Sequence, residues 1–139
     1  MLIHFWSATC PFVLRYEERL QALAGDYKDK AAVLAVDSNF NETPEQIRKE
    51  AQKRKLNYPV LIDKGHQVAD QFGAITTPHV YVLTADGKLA YEGSVDDQGW
   101  SEKDPVNRGY AQEALDAVLA GEPVKDSKTD TFGCTIKRA

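Results

Sequence analysis

The chain has 139 residues, of which 42% are hydrophobic and 27% are charged, a balance typical of one globular domain rather than of a disordered or fibrous chain. A domain of this length buries about two thirds of its extended-chain surface, so it needs no disulfide scaffold or structural metal for stability. The net charge of −4 gives no general attraction to phosphate backbones or anionic lipids. We therefore expect neither a nucleic-acid partner nor a membrane partner.

The apolar runs and the N-terminal residues bear on localisation. No apolar run approaches the ~20 residues of a membrane-spanning helix, and the start lacks the cationic and cleavable segments of a signal peptide. A Met start without a signal favours the cytoplasm, whereas removal of a signal would make the protein periplasmic or exported.

The first half of the chain predicts two buried strands, each followed by a helix. Residues 1–6 are apolar except for His4, as in a central strand covered on both faces. From Pro11 the apolar residues follow helical spacing as far as Gly25. A second apolar strand at 31–36 precedes a capping box at 43–46, which opens a helix running to about residue 55.

The second half predicts a hairpin and a last helix. Asp86-Gly87 is a strong turn signal, and Asp104-Pro105 predicts the start of a helix that ends at Gly121. The other predicted elements are a strand at 58–62, a brief helix at 67–72 and the two hairpin strands at 79–83 and 88–92.

This order of elements predicts an α/β fold, in which a mixed central β-sheet carries helices on both faces as a βαβ unit followed by ββα. The pattern assigns residues 1–121 to this domain. Residues 122–139 lack periodicity and are predicted to form a C-terminal tail that carries Cys134.

The junction of the first strand and first helix resembles the thioredoxin-like superfamily. Residues 5–13 read Phe-Trp-Ser-Ala-Thr-Cys-Pro-Phe-Val, similar to the Phe-Trp-Ala-x-x-Cys-x-x-Cys motif of that superfamily. Thr77-Pro78 matches its Thr-cis-Pro signature, and Gly93 fits the glycine that closes the last strand. Together with the ending Phe-Gly-Cys-Thr-Ile-Lys at 132–137, these motifs resemble the peroxiredoxin-like redoxin branch, of the alkyl hydroperoxide reductase/thiol-specific antioxidant type. The resemblance implies a thioredoxin-like fold and a thiol-dependent redox protein without a metal or organic cofactor.

Three positions depart from the motifs of these families. Val13 stands where a dithiol thioredoxin has its second cysteine, so no vicinal dithiol can form. Ile3 replaces a proline of the peroxiredoxin signature, and Thr77-Pro78 occupies the place of its arginine. Peroxide reduction and disulfide exchange therefore both stay open, and the resemblance slightly favours a peroxidase-like activity.

Cys10 is the candidate nucleophile. A free thiol is mostly protonated at neutral pH, so a nucleophilic cysteine needs surroundings that favour the thiolate. The predicted start of the first helix supplies unpaired backbone N–H groups and the positive end of the dipole, and Pro11 suits its first turn. We expect the Ser7 and Thr9 hydroxyls to donate hydrogen bonds to the sulfur, and Arg15 to add charge if it bends back. The alternative is that Cys10 is an inert small hydrophobic residue.

Cys134 is the second candidate catalytic residue. If Cys10 becomes a sulfenic acid or a mixed disulfide, Cys134 is the one other cysteine in the sequence able to resolve it, within one chain or between chains of an oligomer. An external thioredoxin-like or glutathione-like thiol would then restore the reduced form, or would itself resolve Cys10. The alternative is a free cysteine in a docked tail.

Pro78 supports a hypothesis of a different class. If its peptide bond is cis, Thr77 would face the sulfur and present backbone groups that can pair with an extended substrate. A thioredoxin-fold binding module would use this edge to hold a partner without turnover.

The remaining candidates lie around this junction. His4 is either a core histidine with its hydrogen bonds satisfied or a proton carrier beneath the helix start. Trp6 and Phe12 flank Cys10 and would supply apolar surface near the site, as would Trp100 if its loop folds over. Three scattered histidines and two cysteines do not have the spacing of a metal site.

Overall fold

The computed structural model describes residues 1–138, whose centre is a five-stranded mixed β-sheet. The strands are β1 (Leu2–Phe5), β2 (Val33–Asp37), β3 (Val60–Ile62), β4 (Thr76–Thr77), β5 (Val80–Leu83), β6 (Leu89–Gly93) and β7 (Cys134–Thr135). The helices are α1 (Pro11–Asp26), α2 (Pro44–Lys53), α3 (Gln67–Phe72) and α4 (Tyr110–Leu119), with a 3₁₀ turn at Lys64–His66. No helix among these residues is long and apolar enough to cross a membrane.

The central sheet has the strand order β3-β2-β1-β5-β6, and β4 pairs with β7 in a separate two-stranded sheet. Strands β1, β2 and β3 are parallel, whereas β5 is antiparallel to both β1 and β6. The predicted α/β fold, with a βαβ unit followed by a hairpin and a helix, is confirmed. Parallel β1 and β2 end at the same edge of the sheet, which places the segments after them side by side.

Alternating residues of β1 and Trp6, which follows it, face two separate apolar clusters. Leu2 and Trp6 pack with residues of α1, α2 and α4 on one face of the sheet. Ile3 and Phe5 pack on the other face with residues of α3 and with Ile136 of the tail. The strand is therefore buried on both faces, as its apolar sequence predicts.

The last helix begins later than the sequence predicts. The prediction that it starts at Asp104-Pro105 is wrong, because α4 starts at Tyr110. Within the preceding loop, the carboxylate of Asp97 accepts hydrogen bonds from the backbone N–H groups of residues 107 and 108, and the Gln98 amide donates to two backbone carbonyls. These local bonds hold the backbone in a non-helical path.

The C-terminal tail packs against the domain as far as it is described. Glu92 of β6 forms a β-bridge with Lys128, and β7 pairs with β4. The Gly133 backbone lies so close to the Thr77 carbonyl that any Cβ at this position would overlap it, so only glycine fits. Ala139, the last residue of the predicted tail, lies outside the described residues.

Candidate active site

Cys10 lies between β1 and α1, at the N-cap position of the helix. Its backbone is extended, with φ −85° and ψ 120°, and Pro11 occupies the first helical turn. The side chain makes no capping hydrogen bond to the helix and is 3% exposed. The sulfur is therefore held at the positive end of the α1 dipole, inside a closed pocket.

The Thr77–Pro78 peptide bond is cis and connects β4 to β5. It places the Thr77 carbonyl oxygen 3.3 Å from the Cys10 sulfur, which donates a hydrogen bond to it. The Thr77 residue is itself buried. This turn thus forms the wall of the pocket opposite the start of α1.

Cys134 lies directly beside this turn, because β7 runs antiparallel to β4 with Cys134 opposite Thr77. Both cysteines are free, and their side chains line the same pocket and interact there. Burial and this contact raise the pKa of Cys134 to about 11, although the backbone N–H of Phe12 opposes the shift. The Cys134 sulfur is therefore a thiol at neutral pH and lies within reach of the Cys10 sulfur.

The two sulfurs share a polar pocket of about 130 Å³. Ser7, Thr9, Asn39 and Glu42 line it together with the cysteines. Among the described residues there is no group of three or more His, Cys, Asp or Glu side chains that could hold a metal ion. The pocket therefore brings two thiols and the Glu42 carboxylate together with hydroxyl groups and the Lys137 side chain.

Glu42 is a pocket residue that the sequence analysis did not identify. Its Oε2 accepts hydrogen bonds from the Ser7 and Thr9 hydroxyls, and its Oε1 lies 2.8 Å from the backbone nitrogen of Ala8. The expectation that these hydroxyls donate to the Cys10 sulfur is therefore wrong, because the carboxylate is the stronger acceptor. The sequence feature that could have identified Glu42 is its position, because it follows β2, whose carboxyl end lies beside that of β1.

Arg15 does not turn back toward Cys10, contrary to expectation. Its guanidinium donates to the backbone carbonyl of Gly99 and, at 3.0 Å, to that of Trp100. It also stacks on the rings of Phe12 and Tyr16. Arg15 thus fastens the loop before α4 to α1.

The three predicted aromatic residues have different positions. Trp100 is exposed, and its ring makes edge-to-face contacts with Phe12 and with Phe132 of the tail, both at 5.4 Å between centroids. Trp6 is fully buried, and the Arg54 guanidinium lies over its ring. Apolar surface next to the site therefore comes from Phe12 and Trp100, whereas Trp6 belongs to the core.

His4 is completely buried in β1, and its ring packs edge-on against Tyr58. Neither ring nitrogen has a hydrogen-bond partner among residues 1–138. Burial lowers the pKa of His4 to about 3, so the imidazole is neutral at physiological pH. His4 is therefore a core histidine, but its hydrogen bonds are not satisfied, as the first of the two expectations required. It also does not line the cysteine pocket, where a proton carrier would be needed.

Two curated bacterial proteins are similar in sequence to about two thirds of this chain. The thiol-disulfide oxidoreductase ResA of Halalkalibacterium halodurans is 28% identical over 90 residues, which are 64% of this chain and 50% of ResA. The thioredoxin-like protein YneN of Bacillus subtilis is 33% identical over 90 residues, 64% of this chain and 52% of YneN. The chain thus spans about half the length of these two relatives.

Two solved structures are similar over almost the whole chain. A hypothetical protein from Sinorhizobium meliloti 1021 is 34% identical with a TM-score of 0.89, and the match covers 99% of this chain and 79% of that one. An uncharacterized conserved protein from Geobacillus kaustophilus is also 34% identical, with a TM-score of 0.90 and coverage of 99% and 76%. A thioredoxin-like protein in its oxidized form is 25% identical with a TM-score of 0.67, over 87% and 78% of the two chains. The predicted thioredoxin-like fold is confirmed.

A family model described as AhpC/TSA matches residues 1–92. The match includes Cys10 and the Thr77-Pro78 turn, whereas Cys134 lies beyond it. Because the match covers well over half of the chain, the protein belongs to the AhpC/TSA family, in the redoxin branch of the thioredoxin-like superfamily.

Proposed function

We propose that the protein is a thiol oxidoreductase in which Cys10 attacks the substrate and Cys134 resolves the intermediate. The observation that carries this proposal is that the two cysteine side chains line one pocket, because Cys134 pairs with Thr77, whose carbonyl accepts the Cys10 hydrogen bond. The start of α1 supports the first role, because a helix N-terminus favours a thiolate. The position of Cys134 supports the second role, and resolution within one chain requires no second copy.

With a hydroperoxide, the Cys10 thiolate attacks the nearer peroxide oxygen. An S–O bond forms, the O–O bond breaks, and the leaving alkoxide takes up a proton to become an alcohol. Cys134 then attacks the sulfenic sulfur, so that the S–S bond forms and the departing hydroxide takes the Cys134 proton as water. An external thiol reductant supplies two electrons to restore both thiols.

With a disulfide substrate, the same nucleophile forms a mixed disulfide and releases one thiol. Attack by Cys134 on the Cys10 sulfur then releases the second thiol and leaves the same internal disulfide. The names of ResA and other relatives support this substrate class, whereas the family and the 130 Å³ pocket support a small peroxide. We favour the peroxide, because β7 already occupies the strand edge that an extended disulfide partner would use.

The same occupancy weighs against the alternative of a binding module. In that hypothesis the backbone beside Pro78 pairs with a partner segment. The partner position is filled by Thr135 and Cys134 of this chain, which pair with Thr76 and Thr77.

Intact-mass measurement and peptide mapping after one equivalent of hydrogen peroxide test the proposal. The reduced wild type should lose two hydrogens and yield one cross-linked peptide containing Cys10 and Cys134. Cys134→Ser should instead accumulate oxidised Cys10, which dimedone traps as a sulfenic acid, and Cys10→Ser should not react. An unchanged wild type, or oxidation confined to Cys134, would contradict the proposal and favour the binding module.

A further inference from the structure

A second, larger cavity lies on the far side of Glu42 from the cysteines. It has a volume of about 620 Å³ and is lined by the segments that follow β2 and β3. Asn39 and Glu42 line both this cavity and the cysteine pocket. Glu42 is therefore a common wall between the two spaces.

Asp37, the last residue of β2, contacts Glu42 from the side of this cavity. It is 2% exposed, and its Oδ1 accepts hydrogen bonds from the backbone and the side-chain nitrogen of Asn39 at 2.9 and 3.0 Å. Its Oδ2 receives no hydrogen bond from a donor among the described residues, and the group it meets is the Glu42 carboxyl. Two carboxyl groups in contact and out of water share one proton, because both cannot ionise at little cost.

The surroundings decide which member of the pair holds that proton. Burial raises the pKa of Asp37, and contact with Glu42 raises it further. Burial also opposes ionisation of Glu42, but its interaction with Asp37 and the hydrogen bonds from Ser7, Ala8 and Thr9 outweigh it and lower the pKa of Glu42. At neutral pH Asp37 is therefore protonated and Glu42 carries the charge.

We propose that the Asp37–Glu42 pair takes up and returns the protons of the Cys10 reaction, through the Ser7 and Thr9 hydroxyls. This inference rests on the proposed function and adds to it the source of the proton for the leaving group. The hydroxyls of Ser7 and Thr9 join Glu42 to the cysteine pocket. Both members of the pair line the larger cavity.

The proton count closes within one turnover. The Cys10 S–H donates to the Thr77 carbonyl at rest, so it must first turn toward the Ser7 or Thr9 hydroxyl, which line the same pocket. Its proton then passes to that hydroxyl oxygen while the hydroxyl gives its own proton to Glu42. After the O–O bond breaks, the leaving alkoxide takes a proton from the hydroxyl, which recovers one from the pair. The sum is thiol plus hydroperoxide giving sulfenic acid plus alcohol, with no net proton taken from solvent.

Other charged and titratable groups also face the pair. Cys10, Cys134 and Lys137 line the cysteine pocket. Asp63, Lys64 and His66 line the larger cavity. A pH profile of the peroxide reaction alone would contain contributions from all of them, so the test compares two reactions of the same sulfur.

The test uses a Cys134→Ser background, in which Cys10 is the one remaining thiol. Iodoacetamide alkylation expels iodide, which needs no proton, whereas hydrogen peroxide leaves as an oxygen anion that does. Glu42→Gln keeps the size of the side chain but cannot carry a proton, so it should slow sulfenic acid formation by at least ~10-fold. The same change removes a negative charge beside the thiol, so alkylation should stay equal or become faster.

Two further variants complete the experiment. In the parent, loss of the Asp37 proton at alkaline pH should lower the peroxide rate relative to the alkylation rate. Asp37→Asn can still donate a hydrogen bond to Glu42 but cannot ionise, so this fall should disappear. Glu45→Gln removes an equal charge from an exposed position three residues away and should change neither rate. A loss of structure would move both reactions together, so an equal change in the two rates for Glu42→Gln would overturn the proposal. A Glu42-containing parent that is alkylated but reacts with neither peroxide nor 2-hydroxyethyl disulfide would overturn the proposed function as well.

Discussion

Cys10, Glu42 and His4 differ in chemistry mainly because of where the backbone places their polar atoms. The Cys10 sulfur meets a carbonyl, a second thiol and the start of a helix. Glu42 is buried but accepts three hydrogen bonds, which keep it ionised. His4 is buried without any such partner among the described residues, so it stays neutral.

His4 should make the protein sensitive to acid. Its pKa is lowered to about 3 in the folded state, whereas the unfolded chain titrates near the ordinary value of 6.5. The stability that depends on neutral His4 is therefore fully present above pH 6.5 and is lost as the pH falls toward 3. His79, whose pKa burial lowers to about 4, contributes with the same sign.

His4→Leu should remove one of these two contributions. Where only the unfolded histidine binds a proton, the free energy of unfolding should fall less steeply by about 1.4 kcal/mol per pH unit. Urea unfolding of wild type and variant between pH 6.5 and 4.5 measures the two slopes. Equal slopes would mean that the His4 imidazole is solvated or partnered in the folded protein.

At the scale of the element, local sequence signals and long-range contacts differ in how well they can be predicted. The capping box of α2 forms as predicted, because Thr43 and Gln46 need only each other. The start of α4 was misplaced because Asp97, several residues earlier, holds the intervening backbone in a loop. The contact of Glu42 with Ser7 is absent from the sequence prediction because it depends on β1 and β2 lying side by side.

Strand β7 is the element that brings Cys134 to Cys10, and Gly133 is the residue that lets it approach. Its φ of 147° and the missing Cβ allow the backbone to lie against the Thr77 carbonyl. Gly133→Ala should therefore displace β7 from β4 while leaving the five-stranded sheet intact. We expect slower formation of the Cys10–Cys134 disulfide and faster alkylation of Cys134, measured by peptide mapping over time.

Gly121→Ala is the matched control for this prediction. Gly121 also has a positive φ, at 69°, but a Cβ there would meet no atom within 4 Å. The control should lose about 1 kcal/mol of stability from backbone strain alone and keep the reactivity of both thiols. If the two alanine variants behave alike, the close approach at Gly133 is not what positions Cys134.

For the whole molecule, the tail links the two cysteines to the second apolar cluster. Ile136, two residues beyond Cys134, is buried with Phe5 and Tyr81 on the face of the sheet that α3 covers. The backbone N–H of Lys137 donates to the Asn39 side chain, and Phe40 donates to the Lys137 carbonyl. A disulfide between Cys10 and Cys134 would therefore join the start of α1 to the tail, which hydrogen bonds already hold to the segment that follows β2.

Oxidation should stabilise the protein against unfolding, because the disulfide would close a loop that includes most of the chain. Loop-closure entropy for so long a segment corresponds to about 4–5 kcal/mol, and native positions that already lie together require little rearrangement. Denaturant unfolding of the wild type should therefore show a higher midpoint after one equivalent of peroxide than in the presence of a reducing agent. Cys134→Ser treated in the same way should show no such gain. A lower midpoint for the oxidised wild type would indicate that closing the disulfide pulls β7 or α1 out of its place, and the resolving role of Cys134 would then require a change in the fold around the pocket.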